Sequence, residues 1–151
     1  MIDRISILLS TFFYLGKSPF APGTVGTFGA IALYYLLIQP GSLIFYSFFT
    51  FLFIIISFYV SNRSIEILGE DDPGEIVIDE VCGFLVSMFM IPFGLTNIIL
   101  GFFLFRFFDI LKPYPVRKFE RLPKGYGVVM DDVAAGVYTN IILHIINYFW
   151  L

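Results

Sequence analysis

Two adjacent acidic pairs, Asp79-Glu80 and Asp131-Asp132, each stand at the mouth of an apolar stretch. Hard divalent cations take oxygen ligands, and magnesium favours one or two carboxylates together with waters and substrate phosphate. Two pairs drawn from separate helices can supply such a site. A second reading stays open beside it. Acids in the first turn of a helix accept from free amides and complement the helix dipole. Neighbouring helical residues diverge by about 100°, so one acid of each pair can cap while the other binds metal. Ionisable groups at membrane depth point to function by default, and both pairs on one face favour the metal.

Arg106, Asp109 and Lys112 follow an i, i+3, i+6 spacing that aligns them along one side of a helix. A fork-shaped guanidinium and an ammonium suit a phosphate oxyanion, and Asp109 can orient Arg106 or complete a metal shell. A basic cluster beside a membrane is also drawn to anionic lipid. That explains Arg117, Lys118, Arg121 and Lys124, but not Arg106, which is set between Phe105 and Phe107. Ser18-Pro19-Phe20-Ala21-Pro22-Gly23-Thr24 reads as a turn with Thr24 as N-cap, so free amides there, with Ser18, can receive a phosphate. Gly125-Tyr126-Gly127 reads first as a turn. His144 and Cys82 lie within apolar segments and read as packing.

The elements that must hold these groups are apolar throughout. The 151 residues are 58% hydrophobic and 20% aromatic but only 14% charged, with a mean hydropathy of +0.88. A single soluble domain of this size cannot bury so much apolar surface, so the surplus faces lipid. With one cysteine, Cys82, there is no disulfide framework and no Cys-rich zinc site. The N-terminal segment, Met1 to Gly16, lacks a cleavage signal and is expected to stay as an interfacial helix.

Three stretches carry no Asp, Glu, Lys or Arg: Ser18 to Asn62, Val81 to Phe105 and Val133 to Leu151. The first is too long for one span and breaks at Pro40-Gly41, giving a hairpin of helices over about Thr24–Ile38 and Leu43–Val60. The last is a single C-terminal span. The middle stretch is one span or a second hairpin turning at Pro92, Phe93 and Gly94. One straight span would hold Glu80 and Arg106 roughly 40 Å apart, whereas a hairpin returns them to one face. Two hairpins put every charged loop, including the basic run from Arg106 to Lys124, on one side, which the positive-inside tendency makes cytoplasmic. The expected fold is therefore an all-α integral membrane protein. It forms a single domain over residues 1–151 with about five membrane-embedded helices: two hairpins and a C-terminal span.

Four motifs carry a resemblance. Ser-Pro-x-Ala-Pro-Gly-Thr at 18–24, Ile-Val-x-Asp-Glu at 76–80, Phe-Arg-x-Phe-Asp-x-x-Lys-Pro at 105–113 and Gly-x-Gly-x-x-x-Asp-Asp-x-x-Ala-Gly at 125–136 resemble the phosphatidylglycerophosphatase A family. The likeness runs from about Gly16 to Tyr138. One departure is Lys124, where a glycine is expected. The resemblance implies a multi-pass enzyme of the bacterial inner membrane, its active site facing the cytoplasm. It would remove the terminal phosphate of phosphatidylglycerophosphate with magnesium (Mg2+). The partner is then a membrane phospholipid and not a nucleic acid. It also implies Asp79, Glu80, Asp109, Asp131 and Asp132 as the acidic core. Of these, Asp79, Glu80, Asp131 and Asp132 are expected to hold metal, with Arg106, Lys112, Thr24 and Ser18 toward phosphate.

Rival chemistries fit less well. A headgroup transferase of the CDP-alcohol type would need a longer array of spaced aspartates than Asp131-Asp132-Val133-Ala134-Ala135-Gly136 offers. A cation channel or carrier would bury its acids mid-helix. A cysteine-nucleophile phosphatase would need an arginine where Met88 follows Cys82, and the signatures of histidine-nucleophile lipid phosphatases are absent.

Overall fold

The computed structural model describes residues 2–38, 41–70 and 73–150, and among them there is no strand. The helices are α1 (Ile2–Ser10), α2 (Pro22–Ile38), α3 (Leu43–Leu68), α4 (Ile78–Ser87), α5 (Leu95–Leu111), the short α6 (Val116–Phe119) and α7 (Gly125–Phe149). Pro40 of the expected first turn lies outside the described residues, as do Asp71 and Asp72.

Short α4 is the buried centre. Its Val81, Cys82, Phe84 and Leu85 are sealed from the surface, with α7, α2 and α3 packed around it. α5 lies mainly against α7, and α1 against α3. The α4–α7 crossing is close because Gly83 and Gly136 meet there. A Cβ on Gly136 would strike the Gly83 carbonyl, and one on Gly83 would strike the Asp132 carbonyl and the Phe105 ring. Small residues let two backbones approach where any larger side chain would part them.

Residues 81–105 form two helices, not one. α4 ends at Ser87, where the Asn140 amide donates to the carbonyls of Ser87 and Phe89 at 3.0 and 2.7 Å. The chain turns and re-enters as α5, which is fastened to α7 by a reciprocal amide pair, Asn97 and Asn147, at 3.0 and 2.9 Å. Arg106 Nη1 consequently comes within 3.5 Å of Glu80 Oε1.

Three boundaries differ from the sequence expectation. α2 starts at Pro22, whose missing N–H costs nothing in a first turn, so Thr24 lies inside the helix and is not its N-cap. α3 continues past Val60 to Leu68. Its polar tail finds partners: Ser64 meets the Ser10 hydroxyl at 2.7 Å and Arg63 reaches Asp3 at 2.7 Å. A left-handed Gly69 then closes it, donating to the Ile65 carbonyl. α7 begins at Gly125, so Gly125-Tyr126-Gly127 is its first turn and not a loop. Asn62 Oδ1 accepts from the Gly125 amide at 3.0 Å, and backbone of Asn62 and of Leu122 fills the space where side chains at 125 and 127 would stand.

The outer surface is apolar. Ile44, Phe48, Phe51 and Ile55 of α3, Ile99 and Phe103 of α5, and Ile141 and Ile145 of α7 are all exposed. Among the described residues α3 and α7 are long and apolar enough to cross a membrane, while α2 is apolar but shorter. α1 turns Ser6 and Ser10 inward and leaves Ile2 and Ile5 outward.

Candidate active site

A cleft of about 730 Å3 opens at the end of the bundle where α2 and α7 begin and α5 ends. Each acidic pair is delivered to it by a helix held in the α4–α7 crossing. Asp79 and Glu80 belong to the first turn of α4, where their charge suits the helix dipole, and Val77 at the N-cap makes no side-chain cap hydrogen bond. Asp131 and Asp132 lie well inside α7, beyond its first turn, so helix capping does not explain that pair.

One carboxylate oxygen each from Asp79, Glu80 and Asp132 lie within 4.8 Å of one another. Asp79 and Asp132 are almost wholly buried. Asp79 Oδ1, Glu80 Oε2 and Asp132 Oδ2 are enclosed and have no hydrogen-bond partner. Buried anions without partners are costly unless a cation joins them. The donor set, hard oxygens converging with free lone pairs, fits a hard divalent cation.

Asp131, expected with them as a metal ligand, lines the same cleft but is engaged by other partners. Its Oδ1 accepts from the Asp132 amide at 3.1 Å and its Oδ2 from Lys112 Nζ at 2.7 Å. Lys112 also donates to Glu120 at 2.8 Å. Burial opposes the lysine's charge, but Asp131 and Glu120 outweigh it and hold the ammonium above the usual lysine range. Arg106 is clamped on one side, donating from Nη1 to Asp109 at 2.6 Å, while its buried Nε has no protein partner. The cleft thus sets three converging acids beside two positioned cations.

Ser18 and Thr24 do not line it. The Ser18 hydroxyl donates to the Phe20 carbonyl at 2.9 Å, and the α2 contribution comes from Ala21, Pro22 and Gly23. Gly23 is a residue the spacing of charged groups cannot single out. A Cβ there would collide with Glu80 Oε1 and crowd the Arg106 guanidinium at 3.0 Å. Ala21, Lys112 and Lys124, all on the rim, have left-handed backbones at φ 43, 46 and 54°. Non-glycine residues carry strain in that region, and such strain gathers at functional sites.

Residues 8–147 match the model of the family described as Phosphatidylglycerophosphatase A. The chain is 37% identical to Phosphatidylglycerophosphatase A of Escherichia coli K12, with 95% of this chain and 84% of that protein covered. It is 36% identical to the Haemophilus influenzae protein of the same name, over 95% of this chain and 90% of that one. A Bacteroides thetaiotaomicron protein named "Putative phosphatidylinositol-3-phosphatase" is 38% identical, with 95% and 94% covered. No solved structure matches the chain.

Proposed function

The chain belongs to the phosphatidylglycerophosphatase A family, a family of phosphatases, and from that premise we propose that it hydrolyses the terminal phosphomonoester of phosphatidylglycerophosphate. The products are phosphatidylglycerol and inorganic phosphate. The observation that carries the reading is the cleft itself, where Asp79, Glu80 and Asp132 each keep one enclosed oxygen without a hydrogen-bond partner, beside Arg106 and Lys112.

Asp79, Glu80 and Asp132 would hold magnesium, which supplies Lewis-acid neutralisation of the charge on phosphate oxygens. Arg106 and Lys112 bind equatorial oxygens of the phosphoryl group and stabilise the charge spread over them in a loose transition state. Asp109 fixes the guanidinium and Asp131 the ammonium, so neither cation has to reorganise as charge develops. Water adds to phosphorus as the ester P–O bond breaks; a carboxylate at the cleft takes a proton from the water and passes it to the glycerol oxygen, which leaves as the free hydroxyl.

A phosphomonoester on a lipid sits at headgroup level. That suits a single-domain bundle whose α3 and α7 cross the bilayer, with α2, α4 and α5 embedded beside them and α1 at the interface. The basic residues from Lys112 to Lys124 support a cleft that faces the cytoplasm, through the positive-inside tendency. In a bacterium this is the inner membrane.

The test is phosphate release by purified protein in detergent, with magnesium or chelator. Phosphatidylglycerophosphate is compared with phosphatidylinositol-3-phosphate, because one relative carries that substrate in its name. Magnesium-dependent release favouring the glycerophosphate lipid, lost in Asp79→Asn, supports the reading. Folded protein releasing nothing with magnesium present overturns it.

A further inference from the structure

A second cavity, of about 170 Å3, lies deeper along the same side of the bundle, between α2 and α5. Its walls are Phe28 and Ile31 of α2 and Ile98, Ile99, Phe102 and Phe103 of α5, with no polar surface at all. α2 packs mainly on α4 and α5 mainly on α7, so the two helices face each other across a loosely joined seam. Phe28 and Phe102 stack across it at 4.8 Å, and Phe28, Ile99 and Phe103 are open to the outside.

The seam runs in register with the cleft. On α5, Arg106, Phe102 and Ile99 recur at helical spacing, so the face that carries the guanidinium into the cleft carries the apolar wall below it. On α2, Thr24, Phe28 and Ile31 form the matching face, beginning one residue after Gly23 of the cleft lining. From Arg106 to Ile98 the seam descends about 12 Å at 1.5 Å per residue. A competing groove between α3 and α7, along Ile55 and Tyr59, has a polar end at Arg63 and Glu66. That end is occupied by an ion-pair chain from Asp3 through Arg63 and Glu66 to Lys124.

We propose that the α2–α5 seam receives an acyl chain of the substrate lipid while its phosphomonoester occupies the cleft. The lipid enters sideways from the leaflet, its chain lying between Phe28 and Ile99, and Thr24 marks the junction between polar and apolar sections. This rests on the lipid-phosphatase reading above, and deepens it by assigning the residues that recognise the apolar half of the substrate.

The test compares diacyl phosphatidylglycerophosphate with its deacylated, water-soluble counterpart, using wild type, Ile99→Trp, Ile31→Trp and, on the outer face of α7, Ile141→Trp. Melting temperature in detergent checks that each variant is folded. Filling the seam from either wall is expected to raise KM for the diacyl substrate about tenfold more than for the deacylated one, with Ile141→Trp leaving that ratio at the wild-type value. Folded, active Ile99→Trp and Ile31→Trp proteins with an unchanged ratio would overturn the seam alone and leave the phosphatase reading standing. Wild-type protein that releases phosphate from neither substrate would overturn both.

Discussion

Asp131 and Asp132 are neighbours in sequence with different partners. Asp132 joins Asp79 and Glu80 around a common point, whereas Asp131 anchors Lys112. Their substitutions should therefore fail differently. Asp132→Asn is expected to abolish magnesium-dependent phosphate release. It should also raise the melting temperature of chelator-treated protein, because one of three buried like charges is gone. Asp131→Asn should keep the stabilisation by magnesium but lose roughly 10–100-fold in activity, as expected when a partner that orients an essential group is removed. Thermal melts with and without magnesium, beside phosphate-release assays, separate the two. Lys124 offers a third test. At φ 54 and ψ −143° its backbone suits glycine, which is the residue the family pattern leads one to expect there. Lys124→Gly should relieve about 1–3 kcal/mol of strain and give up only an exposed ion pair with Glu66. The measured melting temperature should rise.

At the scale of elements, the site depends on how closely α4 and α7 cross. Gly136→Ala pushes a methyl into the Gly83 carbonyl and is expected to cost about 1–3 kcal/mol by overpacking. Activity should fall with it, since Asp132 moves away from Asp79 and Glu80. Asn97→Ala removes the amide pair at the opposite end of the bundle and should cost about 0.6–2 kcal/mol. Its KM for phosphatidylglycerophosphate should stay at the wild-type value, which steady-state assays can check. The apolar stretches made the helices themselves legible; for residues 81–105 one span and a hairpin both fitted the apolar pattern, and only the placement of the charged loops favoured the two helices that form. The far ends of α3 and the start of α7 were not legible. Ser64, Arg63 and Gly125 look like loop residues until their partners Ser10, Asp3 and Asn62 on other segments are known. The acidic pairs stood out by type, but which acid of a pair turns toward α4 is set by the crossing. Gly23 and Gly136 stand within the motifs, but why they and Gly83 must lack a side chain shows only in the three-dimensional approach of their neighbours.

At the scale of the molecule, charge and apolar surface are segregated to different regions. The cleft gathers an excess of buried carboxylates at one end, and the sides are bare hydrocarbon. A cation that binds only the folded state stabilises it by mass action, about 2.7 kcal/mol at a hundred times its dissociation constant. Magnesium should therefore raise the melting temperature in detergent and chelator should reverse it, an effect absent from Asp132→Asn. The α4–α7 crossing has a further consequence, in time. A chain grows from its N-terminus at about 5–20 residues per second, and the acids of α4 precede those of α7 by about fifty residues. For several seconds of synthesis α4 therefore has no α7 to pack against, and the close approach of Gly83 to Gly136 is not yet made. The cluster of Asp79, Glu80 and Asp132 is complete only once α7 has joined α4. A nascent chain halted before Gly136 should be membrane-inserted, protease-sensitive at α4 and inert toward phospholipid.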